Sequence, residues 1–152
     1  MNNIKIEIKP FKALSLNELY EVLSLRNKVF VVEQNCPYLD IDALDKQADH
    51  VLIWNDKDLV AYARLFKPEI CYDNAACIGR VLVDVPFRKF GMGHQLIKQC
   101  IAFINEEYKA ANIEISAQEY LIAFYQQHGF VQTSDVYLED AIPHVHMLRV
   151  NS

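Results

Sequence analysis

The sequence predicts an α/β protein, a mixed sheet with helices packed on its faces, forming one domain over residues 1–152. Three observations lead there. Apolar residues switch between period two and helical spacing in the order β-α-β-β-β-α-β-α-β-β. They are spread along the whole length, with no linker, internal repeat or low-complexity tract. A chain of 152 residues that is 52% hydrophobic and 23% charged also has enough apolar side chains for one contiguous core.

Ile4, Ile6 and Ile8 alternate with lysine and glutamate, as in a half-buried strand. Ser15 and Glu18 form an S-x-x-E capping pattern, and Leu16, Leu19, Tyr20, Leu23 and Phe30 follow at helical spacing. Residues 34–46 lose periodicity and carry Pro37, Asp40, Asp42 and Asp45, which marks a loop. Val51-Leu52-Ile53-Trp54 and residues 59–65 flank Asn55-Asp56-Lys57-Asp58, so a hairpin with a polar turn is expected. Residues 78–85 form a further strand, ended by Pro86. Met92, Leu96, Ile97, Cys100, Ile101 and Ile104 then repeat as a helix. Ile113 and Ile115 mark a short strand, and residues 120–128 a short helix closed by Gly129. Residues 130–137 and 144–150 read as the last two strands, joined by a loop through Glu139, Asp140 and Pro143.

Composition removes several function classes. A net charge of −5 argues against a general nucleic-acid surface but leaves room for a local basic pocket. No segment approaches the ~18 apolar residues of a membrane span, and the N-terminus lacks the apolar run of a signal peptide, so a cytoplasmic protein without membrane contact is expected. Cys36, Cys71, Cys77 and Cys100 show no zinc-type spacing. His144-Val145-His146 reads as directing its two rings to opposite faces, so no metal is expected.

The most informative segment begins at Ile78-Gly79-Arg80-Val81-Leu82-Val83 and ends at Arg88-Lys89-Phe90-Gly91-Met92-Gly93 before a helix. A strand, a basic turn with two glycines and a helix N-terminus make an anion site, since backbone N–H groups converge there with the helix dipole. The Rossmann G-x-G-x-x-G spacing fails, and so does the P-loop, which lacks its lysine and hydroxyl.

Arg88-x-x-Gly91-x-Gly93 resembles the R/Q-x-x-G-x-G/A motif of the GNAT superfamily of acetyl-CoA-dependent N-acetyltransferases. Ala117-Gln118 and the run from Ala123-Phe124-Tyr125 to His128-Gly129-Phe130 resemble its second motif, which ends Y-x-x-x-G-F; Gln118 stands where asparagine is frequent. Arg26-Asn27-Lys28-Val29-Phe30 with the following residues to Asp42, and Glu139-Asp140-Ala141-Ile142-Pro143-His144, are similar to the ElaA-like branch.

The resemblance implies a mostly antiparallel sheet with helices on both faces, in which acetyl-CoA wedges between splayed strands four and five. The backbone of Val81, Leu82 and Val83 would pair with the pantetheine arm, with Gln118 in contact, and Arg88, Lys89, Phe90, Gly91, Met92 and Gly93 would hold the pyrophosphate. It also places a tyrosine at the position of Tyr125 to protonate the departing thiolate, and it allows a homodimer.

The acceptor, a small-molecule or peptide amine with pKa near ~10.4, must lose a proton before attack. Glu33 at the end of the first helix and His144 at the last hairpin are the candidate bases, beside a mechanism with no dedicated base. Arg26, Phe30, Tyr38 and Asp42 are candidate acceptor-side residues, and the acids at 40, 42 and 45 suggest a cationic acceptor. The competing reading is a non-catalytic acyl-CoA sensor, which keeps the glycine loop but does not need Tyr125.

Overall fold

The period-two pattern at Ile4, Ile6 and Ile8 produces β1 (Ile4–Pro10), in a computed structural model that describes residues 3–151. Met1, Asn2 and Ser152 of the expected domain lie outside the described residues. β1 pairs antiparallel with β2 (Asp49–Asn55), and β2 with β3 (Asp58–Phe66) through the expected hairpin, in which Asn55 faces Asp58. β3 pairs antiparallel with β4 (Ala76–Val83), and β4 lies parallel to β5 (Asn112–Gln118). β6 (Val131–Gln132), β7 (Tyr137–Glu139) and β8 (Ile142–Val150) complete a mostly antiparallel eight-stranded sheet ordered β1-β2-β3-β4-β5-β8-β6, with β7 also on β8.

Alternation along β2 feeds two cores. Val51 and Ile53 join the cluster under α2 (Met92–Phe103) and α3 (Ile122–Gln126). Leu52 and Trp54 join Val22, Leu25, Val29 and Phe30 of the first helix on the other face. That helix, α1 (Leu16–Arg26), starts at the expected capping box, with Glu18 N–H donating to Ser15 Oγ at 3.0 Å and Ser15 N–H to Glu18 Oε1 at 2.8 Å. It continues as a wider π-helical stretch, Asn27–Glu33.

Leu16 and Tyr20 follow the helical spacing but are 87% and 73% exposed, because the first helix and its π-helical continuation pack through Val22, Leu25 and Val29. Two expectations need correction. The strand expected over residues 130–137 is two short ones. Ser134 Oγ accepts from His146 N–H at 2.9 Å and Gln132 Nε2 donates to Ser134 O at 2.8 Å, and these local bonds divert the chain between β6 and β7. The loop to the last strand is a two-residue turn, Asp140 and Ala141 at φ 50° and 63°, which places Glu139 opposite Ile142 and draws Pro143 into β8.

The feature that makes a site is the parting of β4 from β5. They pair only at Ala76–Ile113 and Cys77–Glu114, while β4 stays on β3 as far as the Ala61–Val83 pair. An extra residue in β4 between Gly79 and Leu82 makes a bulge, with Arg80 at φ 48°. Beyond Cys77 the β5-facing edge of β4 therefore has no strand partner.

Candidate active site

A cavity of about 450 Å³ opens where the strands part. Val81, Leu82 and Val83 form one wall; Ala117 and Gln118 of β5 form the other. The helix that follows starts at Gly91, whose φ of 68° is the left-handed conformation that glycine adopts without a Cβ penalty. Gly93 packs closely, since a Cβ there would meet the Phe124 ring at 3.4 Å. Both glycines and Arg88 line the cavity, as do Glu33, Phe30, Tyr38, Tyr125 and His144.

Five expected site residues do not line it. Arg26 has no exposed surface: its Nε lies 2.9 Å from Asp40 and its Nη1 2.6 Å from Asp45. Asp42 is held by both Nη atoms of Arg64, at 2.8 and 2.5 Å. Met92 is fully buried in the core, Phe90 is 57% exposed, and Lys89 is also solvent-exposed. At 89, 90 and 92 the side chains face elsewhere and only the backbone remains to meet an anion.

The acidic loop is consumed internally. Arg80 Nε lies 2.8 Å from Asp40 while its guanidinium stacks on Tyr38, so Arg26, Arg64 and Arg80 together balance Asp40, Asp42 and Asp45. Burial by itself would raise the Asp42 and Asp45 carboxyls, but bonds from these arginines outweigh it and hold both below the ordinary range. Beneath them, buried His50 accepts from Tyr62 Oη at 2.6 Å and donates to Asp45 O at 2.9 Å, and burial holds its pKa down.

On the cavity side, Tyr125 is 5% exposed and packs edge-on to Phe124 and Phe130. Burial pushes its pKa up, so the phenol stays protonated. Its hydroxyl has no protein hydrogen-bond partner among the described residues. Both Glu33 oxygens accept from Arg88, at 2.8 and 2.9 Å, and Arg88 Nε donates to Val83 O at 2.8 Å, tying the end of the first helix to the glycine loop. Gln118 Nε2 donates to Gln34 Oε1 at 3.2 Å across the cleft.

His144 is 7% exposed and its Nδ1 donates to Ile142 O at 2.7 Å, which leaves Nε2 as the acceptor nitrogen, 3.4 Å from Glu139 Oε2. Glu139 also accepts from Ser116 Oγ at 3.3 Å, and Ser116 bonds the Tyr137 hydroxyl. His144 and His146 both pack on the Tyr137 ring, so they share a face, as period two requires of residues i and i+2. The opposite-face reading was mistaken. Ser116, Tyr137 and the pairing of Glu139 with His144 were missed, because Asp140-Ala141 has no glycine or asparagine to signal a tight turn.

Among the described residues no helix is long and apolar enough to cross a membrane. The family model of the acetyltransferase (GNAT) domain matches residues 18–150. ElaA of Escherichia coli is 42% identical over 138 residues, 90% of both chains, and a UPF0039 protein of Schizosaccharomyces pombe is 40% identical over 149 residues, 97% of both. The crystal structure of an acyl-CoA N-acyltransferase from Pseudomonas aeruginosa superposes with a TM-score of 0.91 at 39% identity, covering 97% of this chain and 100% of that one. That of E. coli ElaA gives 0.90 at 39%, covering 97% and 99%. Family model, sequence relatives and superposed structures agree, and the chain belongs to the GNAT acetyltransferase family, in its ElaA-like branch.

Proposed function

We propose that this chain moves an acetyl group from acetyl-CoA to a primary amine of a small molecule or peptide by direct attack. Its own residues fit that cosubstrate. The unpaired edge of β4 offers backbone groups to an amide-bearing pantetheine arm. The N-terminus of α2, opened by Gly91, suits a diphosphate. Acetyl-CoA supplies a thioester whose acyl carbon a neutral amine attacks; the remaining chemistry falls to the protein.

The carrying observation is Tyr125, a buried side chain that lines the cleft and whose hydroxyl has no protein partner among the described residues. With its pKa raised, it acts as a hydrogen-bond donor to the departing sulfur throughout the working pH range. His144 Nε2 takes the proton from the amine, and Glu139 stabilises the resulting imidazolium. Glu33 is less suited to be the base, since Arg88 occupies both its oxygens. Backbone N–H groups on the open stretch of β4 serve the developing oxyanion. In this reading the chain acts in the cytoplasm as one domain, residues 1–152, alone or as a homodimer, and needs no metal.

Thiol release from acetyl-CoA against polyamines, amino sugars, aminoglycosides, amino acids and peptides tests the reading. Release with one amine class is expected. Tight CoA binding without turnover on any acceptor would favour a sensing module instead, and absence of CoA binding would overturn the cofactor assignment.

A further inference from the structure

Four basic side chains outside the transfer chemistry converge where α2 and α3 meet β8. His94, one residue past Gly93, lines the cleft, and its Nδ1 lies 2.8 Å from Nε2 of His128. The two rings are 5.0 Å apart and both lie against Phe124. Lys98 stands one turn beyond His94 on α2, and Arg149 of β8 donates from Nε to the His128 carbonyl at 2.9 Å. Arg149 also bonds Asn151. Elsewhere Lys9, Arg26, Lys28, Arg64, Arg80 and Arg88 each meet a carboxylate, although exposed lysines such as Lys12 and Lys57 do not. None of these four does among the described residues.

This concentration of positive charge is costly without an anion. Burial and then the positive neighbours His94, Lys98 and Arg149 keep the His128 pKa below its ordinary value. Two imidazole nitrogens at hydrogen-bond distance share one proton between them. The neutral pair keeps one outward N–H besides; a third proton would give it one net charge and an outward N–H on each ring. That arrangement suits a dianion, whose bonds to charged donors are about twice as strong as neutral ones.

Resting on the acetyl-CoA reading, we infer that His94, Lys98, His128 and Arg149 form the seat of the 3′-phosphate monoester of CoA. CoA carries one phosphate besides its diphosphate, a monoester about one ribose away, with a second pKa near ~6. At ~1.5 Å per helical residue, His94 and Lys98 stand about 5 and 10 Å beyond Gly91, where the diphosphate would lie. The phosphate that separates CoA from dephospho-CoA is thereby read by side chains, whereas the diphosphate is read by backbone.

Calorimetric Kd values for CoA and dephospho-CoA at pH 8, where the monoester is a dianion, test this on the wild type, Lys98→Ala and His128→Gln. The wild type is expected to bind CoA at least about ten-fold more tightly than dephospho-CoA. That gap narrows in both variants. Lys98 is solvent-exposed, so its variant carries the test if His128→Gln does not fold. Equal affinities in the wild type, or a gap unchanged in both variants, overturn this inference alone. Failure to bind either molecule overturns the acetyl-CoA reading and this inference with it.

Discussion

Asp40, Asp42 and Asp45 in the loop before β2, and Glu139 and Asp140 at the β7–β8 turn, are two acidic segments with opposite fates. The first is saturated: Arg26, Arg64 and Arg80 take its carboxylates, and the cluster is walled off from the cavity except through Arg80. The second faces the cavity, where Glu139 meets His144. Formal charge is the same in kind; the partners differ. The loop acids hold the fold around the β4 bulge, and the turn acids remain available to an amine. Of the two sets, the acids that line the cavity are those of the hairpin, not those of the loop.

The largest effect that sharpens this contrast is on stability. Arg26→Ala removes one of the two arginine partners of each of Asp40 and Asp45 in a buried network, at an expected cost of about 3–5 kcal/mol in urea unfolding. Glu139→Gln, on a half-exposed side chain, is expected to stay within about 0.5 kcal/mol. Equal costs would erase the distinction. The same network has a pH signature. Neutral His50 stabilises fully above its unfolded pKa of ~6.5 and loses that contribution as pH falls below it. Asp42 and Asp45 do so above ~4, with loss as pH falls through their depressed folded values. Both signs agree, so the urea midpoint should fall between pH 7 and 3; a rise on acidification would contradict the network.

Catalytic effects come next. His144→Gln is expected to lower kcat about 100-fold, and Glu139→Gln about ten-fold, with the Kd for CoA unchanged in both. Weakened CoA binding instead would assign the pair a structural role. The smallest effect is expected at Glu33, whose ion pair with Arg88 is partly exposed and worth at most about 1 kcal/mol. Glu33→Gln should change kcat less than about three-fold; a loss matching that of His144→Gln would restore Glu33 as the base.

What was legible in the sequence was local. The Ser15 cap, the Asn55–Asp58 turn and the strand–glycine–helix run from Ile78 to Gly93 depend on residues a few positions apart; all three formed, though the strand of the last ends at Val83 and Val85–Phe90 is a 3-10 helix. Tyr125, Phe30, Tyr38 and His144 do line one cavity. The misreadings turn on partners distant in the chain. Arg26 meets Asp45 across 19 residues, Arg64 meets Asp42 across 22, and His94 meets His128 across 34. No periodicity encodes such pairs. Leu16 and Tyr20 show a related limit, because helical spacing locates an apolar stripe without saying that anything packs on it.

In the proposed reaction Tyr125 is the donor to the departing sulfur. Acetyl-CoA turnover and CoA affinity, measured side by side for the wild type and Tyr125→Phe with a competent amine, test it directly. The expected result is a fall in kcat of about 100-fold or more with an unchanged Kd for CoA. Unchanged turnover in Tyr125→Phe would contradict it.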